Sequence, residues 1–116
     1  MIYNLQSQRP EIKFSEVTLK KILTAAEINF KFAVLNNQEV SYTSKIECVN
    51  LQLTIQMFNK EEKLTLQGEK TAVVKVVSLI RDYYGSLSDF KLSTENETKS
   101  VIIAGNTSEK EIHEAL

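Results

Sequence analysis

The chain has 116 residues, a net charge of −1, 42% hydrophobic residues and 25% charged residues. This balance excludes a disordered chain and is typical of a single globular domain, which we expect over residues 1–116. The longest mainly apolar run, Ala72–Ile80, contains Lys75 and is too short to span a bilayer. A single cysteine, Cys48, cannot form an internal disulfide, and the N-terminal residues lack a signal-peptide pattern, so we expect a cytoplasmic protein.

The N-terminal quarter predicts an extended segment followed by a helix. Residues 1–13 are polar with scattered apolar positions, and Pro10 disfavours a helix, so this segment could be an extended arm with a short strand at Glu11–Phe14. Ser15 is a good helix cap, and apolar residues recur after it at helical spacing, which predicts a helix over 16–27.

Two alternating runs then predict a β-hairpin. Apolar residues alternate with mainly polar ones over 28–34 and again over 40–47. The residues Asn36–Gln38 between them favour a turn, because Asn tolerates the left-handed conformation.

The longest alternation in the chain, Val49–Phe58, predicts a strand whose outer face is polar but uncharged. After a turn at Asn59–Glu62 the alternation resumes over 63–67, so the middle of the chain predicts a four-stranded antiparallel meander. A neutral amide and hydroxyl face suits a surface that is covered or bound, although a strand that simply faces water remains the alternative. The candidate partner-binding residues are Asn50, Gln52, Thr54, Gln56, Thr65 and Gln67.

Polar residues recur at helical spacing after Gly68 and predict a helix over 70–84, ended by Gly85 in a left-handed cap. Four valines weaken the helix preference, so a buried strand over Thr71–Ile80 competes with this interpretation. The apolar stripe covers more than half of the helix circumference. It fits a homodimer interface or a central helix lying across the sheet, and the sequence leaves both open.

The C-terminal third predicts a hairpin and a short helix. Phe90–Ser93 and Ser100–Ala104 are the two strands, and the second is apolar on both faces, which predicts a position inside the sheet. Ser108 with Glu111 three residues later is a capping box for the last helix. The predicted fold is therefore α+β: an antiparallel sheet, made of the meander and the C-terminal hairpin, packed against two main helices with a short C-terminal helix.

No catalytic, cofactor or metal site is predicted from the sequence. His113 is the only histidine, and it lies far in sequence from Cys48. One short pattern, Asp89 followed by Glu97 and Lys99, is similar to the Asp…Glu-x-Lys arrangement of metal-dependent nucleases and gives an alternative function as a small hydrolase.

A second alternative is nucleic-acid binding through Lys20, Lys21 and Lys31, although the chain is slightly acidic and its charges are interspersed. By elimination, the sequence favours a non-catalytic protein-binding module such as a chaperone, adaptor or inhibitor. The order of elements resembles that of small dimeric secretion chaperones, and this resemblance implies a homodimer. The lysine-, asparagine- and isoleucine-rich composition suggests a bacterium, a phage or another mobile element as the source.

Overall fold

The computed structural model describes residues 1–35, 43–58 and 63–116. Within these ranges seven strands form one antiparallel sheet in the order β2-β3-β4-β5-β1-β6-β7, accompanied by three α-helices. The strands are β1 (Ile2–Ser7), β2 (Phe30–Leu35), β3 (Thr43–Cys48), β4 (Leu53–Phe58), β5 (Lys63–Gln67), β6 (Asp89–Thr94) and β7 (Ser100–Ala104), and the helices are α1 (Glu16–Ala25), α2 (Lys70–Tyr84) and α3 (Glu109–Ala115). The predicted α+β class, with an antiparallel sheet and a short C-terminal helix, is confirmed. None of the helices in the described ranges has the length and apolar character needed to cross a membrane.

The predicted meander is confirmed, because β2, β3, β4 and β5 are neighbours both along the chain and in the sheet. The turns expected at Asn36–Gln38 and Asn59–Glu62, and the strand start expected at residues 40–42, lie outside the described residues.

The first half of the Val49–Phe58 strand prediction is wrong. Cys48 is paired with Leu53 across β3 and β4, so the residues between them must reverse the chain. They do so through one turn of 3-10 helix at Val49–Leu51 and a left-handed Gln52 with φ +51°. Val49 is consequently half exposed instead of lying in the core.

The N-terminal residues form an interior strand of the sheet, so the extended arm considered for residues 1–13 is wrong. β1 lies between β5 and β6, is antiparallel to both, and joins the meander to the C-terminal hairpin. Its side chains Tyr3 and Leu5 are almost completely buried. The short strand expected at Glu11–Phe14 is absent from the structure, because the Ile12 amide donates to the Arg9 carbonyl and closes a turn there.

Helix α1 begins as predicted and ends earlier. The Thr18 amide donates to the Ser15 side chain at 3.2 Å, which confirms the cap. The helix ends at Ala25 because Glu27 adopts φ +59°. The Glu27 and Ile28 amides then donate to the carbonyls of residues 24 and 23, the hydrogen bonds of a Schellman C-cap.

Helix α2 matches its predicted bounds and excludes the competing strand. Its valines are tolerated because tertiary packing outweighs their intrinsic preference: Val73, Val76 and Val77 are fully buried in the same core as the sheet. Helices α1 and α3 both contact α2. The sheet and these two helices therefore account for the broad apolar stripe. Gly85 ends α2 with φ +56°, and its amide donates to the Arg81 carbonyl.

The C-terminal hairpin is correct, but the position predicted for its second strand is wrong. β7 is an edge strand of the sheet. One of its faces packs under α3, where Ile103 and Ile112 are fully buried, whereas Ile102 on the other face is 57% exposed. β7 therefore has apolar residues on both faces although a helix covers only one of them. The predicted Ser108 cap of α3 is confirmed, since the Glu111 amide donates to the Ser108 side chain at 3.1 Å. The Glu111 carboxylate accepts from the Ser108 hydroxyl at 3.3 Å in place of the backbone amide of a full capping box.

Candidate functional site

Within residues 1–35, 43–58 and 63–116, helices cover one face of the sheet and leave the other without a helix. The buried side chains of the strands form a single core with those of α1, α2 and α3, so the helices lie on that side. The side chains that alternate with them point the other way and are mostly exposed or half-buried. We call this side the open face; its strand residues with described side chains are Ile2, Asn4, Gln6, Lys31, Ala33, Lys45, Glu47, Thr54, Gln56, Lys63, Thr65, Gln67, Asp89, Lys91, Ser93, Ser100, Ile102 and Ala104.

A row of uncharged polar side chains crosses the middle of the open face. The strand register aligns five residues on five neighbouring strands, β4, β5, β1, β6 and β7. We call them the neutral row, and they are Gln56, Thr65, Asn4, Ser93 and Ser100. At the usual spacing between strands the row extends over roughly 19 Å. The Thr65 hydroxyl donates to the Asn4 side-chain oxygen at 3.3 Å, so part of the row is already ordered.

A second uncharged pair lies beside the neutral row. Thr54 and Gln67 are direct cross-strand partners on β4 and β5. Together with Gln52 they line a shallow depression of about 600 Å³, which reaches the chain start at Met1 and the beginning of α2 at Lys70.

The structure thus brings together most of the partner-binding residues proposed from sequence. Gln56 lies opposite Thr65 and Thr54 opposite Gln67, and Gln52 joins them at the rim of the depression. Asn50 is exposed in the 3-10 turn before β4 and does not belong to the strand rows.

Sequence reasoning missed three of the five residues of the neutral row, which lie on β1, β6 and β7. Asn4 and Ser93 are paired with each other, and Ser93 is only 5% exposed. The available signal was the brief alternation of Tyr3 and Leu5 with polar residues. It covers too few positions to indicate a central strand.

Charged side chains lie around the neutral row. Lys45 and Glu47 form an ion pair on β3 with 2.9 Å between Nζ and Oε1. The hydrogen bond from the Lys45 ammonium and its positive charge, with a smaller contribution from Lys31, lower the pKa of Glu47 below its usual value. On the other side, Lys63 and Lys91 both lie next to Gln6 across neighbouring strands.

The neutral row is chemically suited to contact with another surface. Its amides and hydroxyls can donate and accept hydrogen bonds, and burying them does not remove a full charge from water. Burying lysines and glutamates would carry a much larger desolvation cost unless each found a partner. The arrangement can therefore be covered at low cost, and it offers directional hydrogen bonds to whatever covers it.

The residues of the nuclease-like pattern do not meet. Asp89 begins β6 and Glu97 lies in the turn beyond its other end, roughly 17 Å away along the strand. The Asp89 carboxylate is 3.9 Å from the Arg9 guanidinium, whereas the Lys99 ammonium donates to the Leu116 carbonyl at 3.5 Å. Among the described residues, no three His, Cys, Asp or Glu side chains are placed to hold a metal ion together.

The three lysines considered for nucleic-acid binding lie on opposite sides of the sheet. The Lys20 ammonium is 3.7 Å from the centre of the Phe32 ring, on the side covered by helices. Lys21 is exposed on α1, and Lys31 points to the open face. These three residues therefore form no single basic stripe.

The only cysteine and the only histidine lie apart. The Cys48 side chain is 1% exposed, and burial raises the pKa of its thiol to about 11, so it is a buried apolar group and not a nucleophile. His113 is exposed on α3, beside a groove that Val74 and Glu114 also line.

Comparison of the chain with protein-family models and with curated protein sequences finds no match.

Proposed function

We propose that this protein is a non-catalytic protein-binding module, of the chaperone, adaptor or inhibitor class, that captures its partner on the open face. The observation that carries the proposal is the neutral row, because uncharged hydrogen-bonding groups cross five adjacent strands of a face that none of the described helices covers. A face that only met water would be expected to carry interspersed charges along its centre, as β3 does with Lys45 and Glu47.

The geometry of the row supports a broad and fairly rigid contact. Antiparallel pairing holds the row on the sheet, and Asn4, Gln56 and Thr65 are half-buried by their neighbours. A surface whose side chains are already ordered loses less entropy on binding than a mobile one. The flanking charges, such as the Lys45–Glu47 pair, then form a polar rim of the kind that surrounds most protein interfaces.

The test replaces the centre of the row with charge. The double variant Gln56→Glu with Thr65→Lys puts opposite charges on directly paired residues, so the sheet should tolerate it. The matched control, Thr24→Lys with Asn29→Asp, makes the same kinds of charge change at two exposed positions outside the strands.

Each purified protein is used to capture partners from an extract of the native host, and recovered proteins are quantified by mass spectrometry. We expect the row variant to recover at least about tenfold less of the main partner, since removing the introduced ion pair from water should cost at least about 1.4 kcal/mol more than the attraction between its two charges returns. The control should recover as much as the wild type, and thermal melting should show both variants folded. Equal recovery by the row variant would show that the open face is only solvated sheet.

A further inference from the structure

The edge strand β7 has an outer side that pairs with no other strand of the described sheet. β7 ends the sheet on one side, and its sequence, Ser100-Val101-Ile102-Ile103-Ala104, has no charged residue and no proline. Natural sheets commonly protect an edge with such residues, and the opposite edge strand β2 carries Lys31. β7 lacks this protection and exposes the Ile102 side chain.

The register shows which main-chain groups point outwards from β7. The Thr94 amide donates to the Lys99 carbonyl at 3.0 Å, and hydrogen-bonded pairs alternate with non-bonded pairs along an antiparallel ladder. Val101 and Ile103 therefore bond to β6, whereas Ser100, Ile102 and Ala104 direct their amides and carbonyls away from the sheet.

Thr107 closes one end of this edge. Its hydroxyl accepts from the Ala104 amide at 2.9 Å, and its own amide donates to the Ala104 carbonyl at 3.2 Å. Within the part of the chain that the structure describes, Ser100 and Ile102 have no comparable partners. Two amides and two carbonyls remain, at the spacing that an extended backbone satisfies.

One carboxylate, that of Glu111, lies on the side of α3 above this edge, whereas the nearby Lys99 ammonium donates to the Leu116 carbonyl at the end of α3. Ile112 points into the core, and Glu109 and His113 line a groove with α2, so that side of α3 faces α2. At 100° per residue, Glu111 lies on the opposite side of Ile112, towards the free edge of β7. An added strand would therefore meet an apolar side chain, Ile102, on the open face and a carboxylate on the helix side.

A second copy of this chain does not fit the edge well. Two-fold pairing of β7 with itself would bring the Glu111 side of each α3 towards its copy. A contact along a five-residue strand also buries far less than the roughly 800 Å² per partner of a stable dimer. A basic segment of another protein avoids the repulsion between the two Glu111 sides, and a weak, transient contact does not need that area.

We propose that β7 accepts an extended segment of a partner protein as an eighth strand, held by the main-chain groups of Ser100 and Ile102 and selected for basic side chains by Glu111. This inference rests on the proposed function, since it takes the partner to be a protein, but it uses the main-chain groups at the edge of β7, where Ser100 ends the neutral row, and not the side chains of the row. Addition of a strand to a sheet edge is a common mode of peptide recognition.

The probe is a capped hexapeptide of alternating Lys and Val, which places valines beside Ile102 and lysines beneath Glu111. Binding is measured by NMR titration of the full chain, with amide hydrogen exchange at Ser100 and Ile102. We expect both amides to become protected, and we expect the matched Glu/Val peptide to bind at least about tenfold more weakly.

Two variants examine the main-chain contacts. Ile102→Pro removes one outward amide without removing a ladder bond and should weaken binding about tenfold, whereas Ile102→Val keeps the amide and should bind nearly as the wild type does. If the proline variant does not fold, the Lys/Val peptide methylated on alternate backbone nitrogens replaces it, and this peptide should not bind.

Unprotected amides at Ser100 and Ile102 with saturating peptide, or equal binding of the methylated peptide, would overturn the proposal. So would a homodimer in sedimentation equilibrium that Ile102→Pro abolishes, because the occupant would then be a second copy. The variant Gln56→Glu with Thr65→Lys should bind the peptide normally, so failure of the open face and failure of the edge are distinguishable.

Discussion

Replacing Ser78 with alanine should make the protein more stable. Ser78 lies on the buried side of α2 and is only 2% exposed. Its hydroxyl oxygen has no hydrogen-bond partner among the described residues. The folded state therefore carries the cost of removing this hydroxyl from water without the hydrogen bond that would compensate it.

The magnitude follows from three contributions. Removing an unsatisfied buried hydroxyl relieves about 1–3 kcal/mol, and the better helix preference of alanine adds about 0.5 kcal/mol. The small cavity left by one oxygen atom costs a few tenths of a kcal/mol. We expect a net gain of about 1–3 kcal/mol in the free energy of unfolding, or roughly 4–12 °C in Tm for a domain of this size.

Ser88→Ala is the matched control, because the same substitution should have the opposite sign there. Ser88 is 5% exposed, but its hydroxyl donates to the Arg81 carbonyl at 2.7 Å. Its loss should cost about 1 kcal/mol. Urea denaturation of both variants measures the difference, and a Ser78→Ala protein no more stable than the Ser88→Ala protein would refute the reasoning.

Three further predictions concern the end of α2, the last helix and the thiol. Gly105→Ala should destabilise by about 1–3 kcal/mol in urea denaturation, because a Cβ there would lie 2.7 Å from the Gly85 carbonyl oxygen; an unchanged midpoint would contradict this close approach. Ser108→Ala should cost about 1 kcal/mol through loss of the cap on Glu111, and a melting temperature equal to wild type would show that α3 contributes little to stability. The pKa of Cys48 is raised from 9.0 to about 11, so the folded thiol stays neutral while the unfolded one ionises, and stability should fall as pH rises from 9 towards 11. Cys48→Ala should reduce this loss, and iodoacetamide at pH 8 should label the wild type only after unfolding; rapid labelling of the native protein would contradict the assigned burial.

Elements with strong local signals could be predicted from the sequence. α2 kept its bounds because its polar positions follow a helical period over fifteen residues and Gly85 follows directly. The caps at Ser15 and Ser108 were also visible, since a cap depends on residues only three positions apart.

Elements that depend on distant residues could not be placed. Nothing local in Ile2–Ser7 shows that the strand joins β5 to β6, and nothing local in β7 separates a strand covered on both faces from an edge strand under α3. Apolar and polar residues also alternate through Val49–Gln52, where the chain reverses. This alternation contains no information about the positive φ of Gln52, so the turn could not be predicted from it.

The same limit applies to the candidate site. Thr54, Gln56, Thr65 and Gln67 were identified because β4 and β5 are consecutive strands. The rest of the neutral row required knowledge of the strand order.

The interior position of β1 has a consequence for the way in which the sheet forms. β1 precedes both of its partner strands along the chain, because they begin at Lys63 and Asp89. Pairings of such large sequence separation form slowly, so we expect the meander to assemble before β1 joins the sheet. A variant that lacks residues 1–7 would have a gap between β5 and β6. A separately synthesised peptide with the sequence of β1 should bind in that gap, so the protein should be suitable for split-fragment complementation.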